Sequence, residues 1–319
     1  MSQQGVPGNP RVLGRGRVGD YDDAAWQKID WSQHSHDAVV CGRRVHYVDI
    51  GNGPAVVLVH GQGASWQWWL RVLPKMVTKN RTIALDLPGF GDSDSIINGD
   101  IFDEHAATIN GVLDHLGLKS ATIVGHSMGG LGTLRVARNH PDRVVGIVLV
   151  NSGGAPVGAV RLFAFRTVFV TFYAISRLPW VLPTIARTPY LPGALLTVAV
   201  ADPRSLSPAL TTRLITRLVT PGFVSTLKAG TAEVRRATVE EVQCPSLVIW
   251  GTKDQIVPVS QGKLLATKLS DARFVPIEGV GHCPMIEAPG ELSDLITGFA
   301  RDVTRIRPDT DPDPDPCAT

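Results

Sequence analysis

The sequence predicts an α/β fold built on a mostly parallel sheet of about eight strands flanked by helices, and three observations carry that prediction. Short runs of Val, Ile and Leu recur between Gly, Pro or Asp residues, stretches with helical periodicity separate several of them, and the runs are continuously apolar. Continuous apolar runs suit strands covered on both faces, as in a parallel sheet with crossover helices. VVLVH (56–60), TIALD (82–86), ATIVGH (121–126), GIVLVN (146–151), SLVIWG (246–251) and RFVPIEG (273–279) are the candidates. RVHYVDIG (44–51) is expected to add an antiparallel edge strand ahead of them.

The 319 residues, 44% of them hydrophobic, suffice for a buried core. A balance of 31 Lys+Arg against 29 Asp+Glu generates no field that would recruit nucleic acid, so a small-molecule substrate is expected. Cys41, Cys244, Cys283 and Cys317 lack paired metal-ligand spacing, which argues against a zinc site or a disulfide framework and for a reducing compartment. The first thirty residues are polar and Gly-rich, without the apolar run of a signal peptide, and the chain reads as cytoplasmic. Residues 1–36 are expected to form a flexible extension, and 305–319, ending in alternating Asp and Pro, a disordered tail.

The core then comprises 37–154 and 237–304, for between 155 and 236 the strand and helix alternation stops. That segment reads as helices broken by Pro179, Pro183, Pro189, Pro192, Pro203, Pro208 and Pro221, an inserted helical subdomain. AVRLFAFRTVFVTFYAISR (159–177) is nearly long enough to span a bilayer, but Arg161 and Arg166 are costly there. On a helix Phe165, Phe169 and Phe172 share one face, with Arg166 and Arg177 displaced by roughly 100°, the pattern of an amphipathic lid helix. Three roles stay open for these phenylalanines: packing the insertion on the core, lining an acyl pocket, or peripheral contact with a membrane surface.

The strongest chemical signal is Gly125-His126-Ser127-Met128-Gly129-Gly130, which follows the apolar run ATIV and precedes the helical pattern LGTLRVARNH. A strand, a sharp turn and a helix push a serine clear of the sheet edge, and the helix start offers the Met128 N–H to an oxyanion. A serine hydroxyl needs a base to attack at neutral pH. Among nine histidines, His282 in Gly279-Val280-Gly281-His282 lies just past the last strand candidate. Asp254 follows SLVIWGTK, also beyond a strand, placed to accept the other ring N–H of His282 and fix its tautomer. Asn151 occupies the other strand end where such an acid can sit, but an amide cannot stabilise an imidazolium as a carboxylate does.

A second oxyanion donor is expected from His60-Gly61-Gln62-Gly63, with the Gln62 N–H preferred and Gly61 next. One such donor is worth roughly 3–4 kcal/mol of transition-state stabilisation. His60 is expected to tie loop to loop rather than to transfer protons. Of Trp66, Trp68 and Trp69, at least one is expected to border the pocket, Trp66 being the candidate.

Over nearly all of 37–304 the chain resembles the α/β-hydrolase superfamily, on HGQGASW, DLPGFGDSD, GHSMGG, WGTKDQIVP and GVGHCPMIEAP in that order. The resemblance implies the α/β-hydrolase fold with a helical cap inserted before the strand that leads to the acid. It implies acyl transfer through Ser127 with neither cofactor nor metal, and it makes DLPGFGDSD a structural turn, leaving Asp86, Asp92 and Asp94 outside the chemistry. A serine nucleophile separates the chain from the haloalkane dehalogenase and epoxide hydrolase branches, which use an aspartate. Carbon–carbon hydrolases of ring-cleavage products are also similar, although many carry an aromatic residue directly after the catalytic histidine, where Cys283 stands here. The position of Cys283 suits packing beside the histidine loop.

The expected reaction is hydrolysis of a hydrophobic small-molecule ester through an acyl-enzyme on Ser127, with His282 as base and Asp254 orienting it. Carbon–carbon hydrolase, thioesterase, lactonase and perhydrolase chemistry use the same triad, and a catalytically weak small-molecule receptor is a reading of another class. Natural substrate and oligomeric state leave no mark in the sequence.

Overall fold

The apolar runs form strands because β-branched side chains fit a pleated surface that is buried on both sides. In a computed structural model, which describes residues 24–95, 100–155, 158–188, 196–203, 206–233 and 239–306, eight strands form a single sheet. They are β1 (Ser35–Val40), β2 (Arg43–Ile50), β3 (Ala55–Val59), β4 (Arg81–Leu85), β5 (Ala121–His126), β6 (Val144–Val150), β7 (Ser246–Gly251) and β8 (Ala272–Ile277). Their order is β1-β2-β4-β3-β5-β6-β7-β8. The pairs β1/β2 and β2/β4 are antiparallel, and every pairing from β4/β3 to β7/β8 is parallel.

Alternation along each strand divides the apolar residues between two cores. Val57, Val59, Ile147 and Leu149 face one, while Val56, Leu58, Val148 and Val150 face the other, all fully buried. Covering the sheet are α1 (Leu73–Met76), α2 (Ile101–His115), α3 (Met128–Asn139) and, after the insertion, three more helices. The insertion lies between β6 and β7 and contributes α4 (Ala159–Ser176), α5 (Val181–Arg187), α6 (Pro208–Ile215) and α7 (Phe223–Glu233). The chain ends with α8 (Val259–Lys268), α9 (Pro284–Glu287) and α10 (Pro289–Ile306). Because β4 lies on one side of β3 and β5 on the other, the winding reverses there, and the loops leaving β3 and β5 part at their carboxyl ends.

Three expectations are corrected. The strand read at 44–51 is not the sheet edge: β1 pairs outside it, with Ser35 opposite Val48 and Val40 opposite Arg43. Its opening Ser-His-Asp hides it from an apolar-run search. The extension expected over 1–36 is ordered from residue 24, because Trp26 is buried and takes the Trp31 Nε1–H on its carbonyl at 2.8 Å. The Arg213 guanidinium of α6 lies 5.5 Å over the Trp26 ring. Residues 1–23 and 307–319 lie outside the described residues.

The third correction concerns α4, which is not amphipathic. Phe169, Phe172, Tyr173 and Ser176 are buried or half-buried, but Phe163, Val168 and Ile175 are exposed. Of the prolines expected to break helices, Pro183 and Pro208 sit in the first turns of α5 and α6, where no N–H is needed. Pro189 and Pro192 lie outside the described residues. Among the described residues no helix is long and apolar enough to cross a membrane.

Candidate active site

Five parallel strands deliver the site residues at their carboxyl ends: Gly61 and Gln62 follow β3, Ser127 follows β5, Asn151 follows β6, Asp254 follows β7 and His282 follows β8. Ser127 joins β5 directly to α3 with φ 52° and ψ −116°, a conformation that costs a residue with a Cβ. Backbone bonds hold it there. The Ser127 N–H donates to the Val150 carbonyl at 3.1 Å, and the Ser127 carbonyl accepts from Gly130 at 3.1 Å and Gly153 at 3.0 Å. The loop after β3 lies directly against this turn: a Cβ on Gly61 would stand 2.7 Å from His126 Nδ1 and 3.0 Å from Ser127 Cβ. Only glycine permits that approach.

The sequence-predicted serine, histidine and aspartate meet in one hydrogen-bonded chain. His282 Nε2 is 3.0 Å from Ser127 Oγ, and His282 Nδ1 is 2.8 Å from Asp254 Oδ2. Burial alone would raise the Asp254 carboxyl. The His282 charge and hydrogen bonds from His282, Asn151 and the Val257 N–H outweigh it and hold the group below its ordinary carboxylate value. An ionised Asp254 only accepts, so Nδ1 carries the proton and Nε2 presents its lone pair to the Ser127 hydroxyl.

Asn151, passed over as an acid, braces the Asp254 carboxylate. Its Nδ2–H donates to Asp254 Oδ2 at 2.7 Å and to the Gly281 carbonyl at 3.3 Å, while its Oδ1 accepts the Gly251 N–H at 3.2 Å. The Ile256 and Val257 N–H groups reach Asp254 Oδ1 at 2.8 and 2.9 Å, so four donors fix the carboxylate. Asn151 has φ 44°, a left-handed conformation that asparagine tolerates, which is the one signal of this role in its residue type. His126 was also missed: its Nε2–H donates to the His282 carbonyl at 2.9 Å. Burial and the neighbouring His282 lower the His126 pKa to about 3, so it stays neutral and holds the histidine loop.

Opposite the triad, no acceptor among the described residues meets the Gln62 or Met128 N–H. Both belong to the segments that flank Ser127. His60 Nδ1 donates to the Gly61 carbonyl at 2.8 Å and its Nε2 accepts the Leu87 N–H at 3.0 Å, with burial lowering its pKa to about 4. It ties loop to loop.

Residues 54–289 match the α/β hydrolase fold family. The chain belongs to the α/β-hydrolase family. It is 32% identical over 271 residues to a 2-hydroxy-6-oxononadienedioate/2-hydroxy-6-oxononatrienedioate hydrolase of Paraburkholderia phymatum, covering 80% of this chain and 90% of that one. It is 30% identical to the dihydrolipoyllysine-residue acetyltransferase component of an acetoin cleaving system of Pseudomonas putida, over 83% of this chain and 68% of that one. Among solved structures, an esterase from Rhodococcus sp. superposes with a TM-score of 0.68 and 26% identity, covering 85% of this chain and 99% of the other.

In this α/β-hydrolase chain the insertion grips both loops beside Ser127. On the side of the loop after β3, Gln62 Nε2–H donates to the Phe223 carbonyl at 2.6 Å and Gln62 Oε1 accepts from Thr226 Oγ1 at 3.0 Å, both in α7. The Phe223 ring lies against Gly63, where a Cβ would stand 2.7 Å from it, and Phe169 and Tyr173 of α4 stack on it at 6.3 and 4.9 Å. On the histidine side, the His282 N–H donates to the Ala199 carbonyl at 2.8 Å. Glu287 accepts from the Ala201 N–H at 2.7 Å and the Gly281 N–H at 2.9 Å. Burial raises the Glu287 pKa against these N–H groups.

Of the aromatic residues expected to bind substrate, Phe169 reaches the Gly61–Gly63 loop through Phe223, Phe172 is half-buried on α4, and the Phe165 side chain lies outside the described residues. Trp66 packs its ring on Trp31 at 5.3 Å, and its backbone N–H donates to Asp86 Oδ1 at 2.7 Å. Phe223 and Tyr173 were not anticipated, since no spacing in the sequence links them to Gly63. Burial, aided by Glu287 and Asp254, pushes the Cys283 thiol well up, which leaves it without nucleophilic thiolate. His46, Asp86 and Asp92 bring one ligand atom each within 4.8 Å of one another, but Asp86 already takes the Trp66 and Asp92 N–H groups and Asp92 pairs with Arg217.

Proposed function

We propose that the chain is a serine hydrolase acting on carboxylic esters with a hydrophobic acyl group. The observation that carries this reading is the continuous Ser127–His282–Asp254 hydrogen-bonded chain, with a carboxylate fixed by four donors behind it. Ser127 Oγ attacks the ester carbonyl as His282 Nε2 takes its proton, and the resulting oxyanion is held by the Met128 and Gln62 N–H groups. The C–O bond to the alcohol breaks as His282 returns the proton to the leaving oxygen. Water, deprotonated by His282, then attacks the acyl-enzyme, and the same histidine protonates Ser127 as the acid leaves.

A second reading, hydrolysis of a carbon–carbon bond, is favoured by the 32% identical relative, whose named substrate is a dicarboxylate. Against it stands the lining beside the oxyanion loop, where Phe223, Phe169 and Tyr173 offer no cation to a substrate carboxylate. The test compares kcat/KM for a series of p-nitrophenyl acyl esters with that for a 2-hydroxy-6-oxodienedioate, using the wild type and Ser127→Ala. The expected result is turnover of the longer acyl esters that falls by about 10⁴-fold or more in Ser127→Ala. Undiminished ester hydrolysis by that variant refutes the assignment, and preference for the dienedioate transfers it to the second reading.

A further inference from the structure

The helical insertion presents a surface that its own fold leaves uncovered. On α4 positions 169, 170, 172 and 173 are half-buried and 176 is buried, whereas Phe163, Val168 and Ile175 are 72, 58 and 52% exposed. Directly beyond the helix, Leu178 is 44% and Trp180 64% exposed. Large apolar side chains spread over the exposed arc of one helix and the turn after it depart from the usual arrangement, in which that arc is polar.

Charge along this stretch is equally one-sided. From Arg143 to Ala201 the sequence holds no Asp or Glu, while Arg161, Arg166, Arg177 and Arg187 all fall within the insertion. Arg166, Arg177 and Arg187 are exposed, and among the described residues none of them meets a carboxylate. Between the end of α4, α5 and α6 lies a cleft of about 690 Å³, lined by Arg177, Leu178, Leu182, Arg187 and Val219 among others. It gives a phosphate room beside two arginines on an apolar floor.

We propose that this face docks on an anionic lipid bilayer, with Phe163, Val168, Ile175, Leu178 and Trp180 entering the headgroup boundary and Arg166, Arg177 and Arg187 meeting lipid phosphates. Trp180 has the amphipathic ring that favours this boundary. A second copy of the chain fits the face less well, since a two-fold contact sets these arginines against their own equivalents. The insertion lies on the bilayer and does not span it, as no described helix is long and apolar enough to cross. The proposal is independent of the reaction assigned to Ser127.

Co-sedimentation of the full chain with phosphatidylcholine vesicles, prepared with and without phosphatidylglycerol, tests it. The wild type is expected to sediment with the anionic vesicles, to stay in solution with the neutral ones, and to be released by salt. Each arginine charge removed is expected to weaken partitioning about fivefold, so the triple variant Arg166→Glu, Arg177→Glu, Arg187→Glu loses at least about 100-fold. The matching triple Arg→Lys variant retains binding, and Phe163→Ser with Trp180→Ser loses it, with circular dichroism checking that each variant is folded. Wild-type protein left in solution with anionic vesicles overturns the proposal whatever the variants do. Unchanged binding by a folded triple Glu variant also overturns it, as does a concentration-dependent dimer, without vesicle binding, that Trp180→Ser abolishes.

Discussion

The carboxyl edge of the sheet and the helical insertion packed against it keep their shapes by opposite means. At the edge, each turn is over-determined: Ser127 is held by bonds to Val150, Gly130 and Gly153, and Asp254 by four donors. The insertion shows large apolar side chains to solvent and reaches the two loops beside Ser127 through a few polar contacts, Gln62 with α7 and the 199–201 segment with His282 and Glu287. The difference teaches that Ser127 and Asp254 are held by the sheet edge itself, whereas the positions of the loops that carry Gln62 and His282 are shared with the insertion.

Predictions follow that comparison from its rigid side to its looser one. Asp254→Asn leaves the packing of the edge intact but removes the charge that orients His282, and kcat is expected to fall by about 10⁴-fold with little change in thermal midpoint. Asn151→Ala takes one donor from a buried carboxylate, worth about 1.5–3 kcal/mol, so kcat falls about tenfold to a hundredfold at nearly constant KM. A rise in KM at constant kcat would move Asn151 from a positioning role to substrate binding.

On the insertion side, Gln62→Ala keeps the Gln62 N–H and removes only the two bonds to α7, for an expected loss of about fivefold to tenfold in kcat/KM. Hydrogen exchange should quicken over 206–233 in this variant while β5 and β6 stay protected. Equal exchange changes in β5 and the insertion would abolish the distinction between rigid edge and looser helices.

The smallest effect expected is one of pH on stability, and it belongs to the sheet side. His60, His105 and His126 are buried, and burial lowers their pKa values from 6.5 to about 4, 3 and 3. Below pH 6.5 the unfolded chain takes up protons that the folded chain refuses, so stability is fully present above that value and is lost as the pH falls from 6.5 towards 4 and 3. At one pH unit below 6.5 the loss is about 1.4 kcal/mol per histidine. Both ring nitrogens of His105 lack a partner among the described residues, so His105→Leu should flatten this acid limb by one histidine in melts recorded at several pH values.

Much of the edge was legible because its chemistry is local. A serine between a strand and a helix, glycines where backbones touch, and a histidine and an aspartate each just past a strand are patterns of neighbouring residues. What was not legible depends on partners far away in sequence. Asn151 meets Asp254 across 103 positions, Gln62 meets Phe223 across 161, and His126 meets the His282 carbonyl across 156. The order of residues 24–34 was hidden because Gly-rich neighbours dominate its composition, although one buried tryptophan suffices to anchor it. Helical periodicity placed three phenylalanines on one face of α4 but could not reveal that Phe163, Val168 and Ile175 stay exposed.

The left-handed backbone at Ser127 has a consequence for selection. Glycine would occupy φ 52° and ψ −116° at ease, so Ser127→Gly should melt at a higher temperature than the wild type while losing the hydroxyl on which the proposed reaction depends. A laboratory screen that rewarded heat resistance alone would therefore drift towards inert molecules at this position. On the proposed reaction, the serine persists in a conformation it disfavours only for as long as turnover is what is being counted.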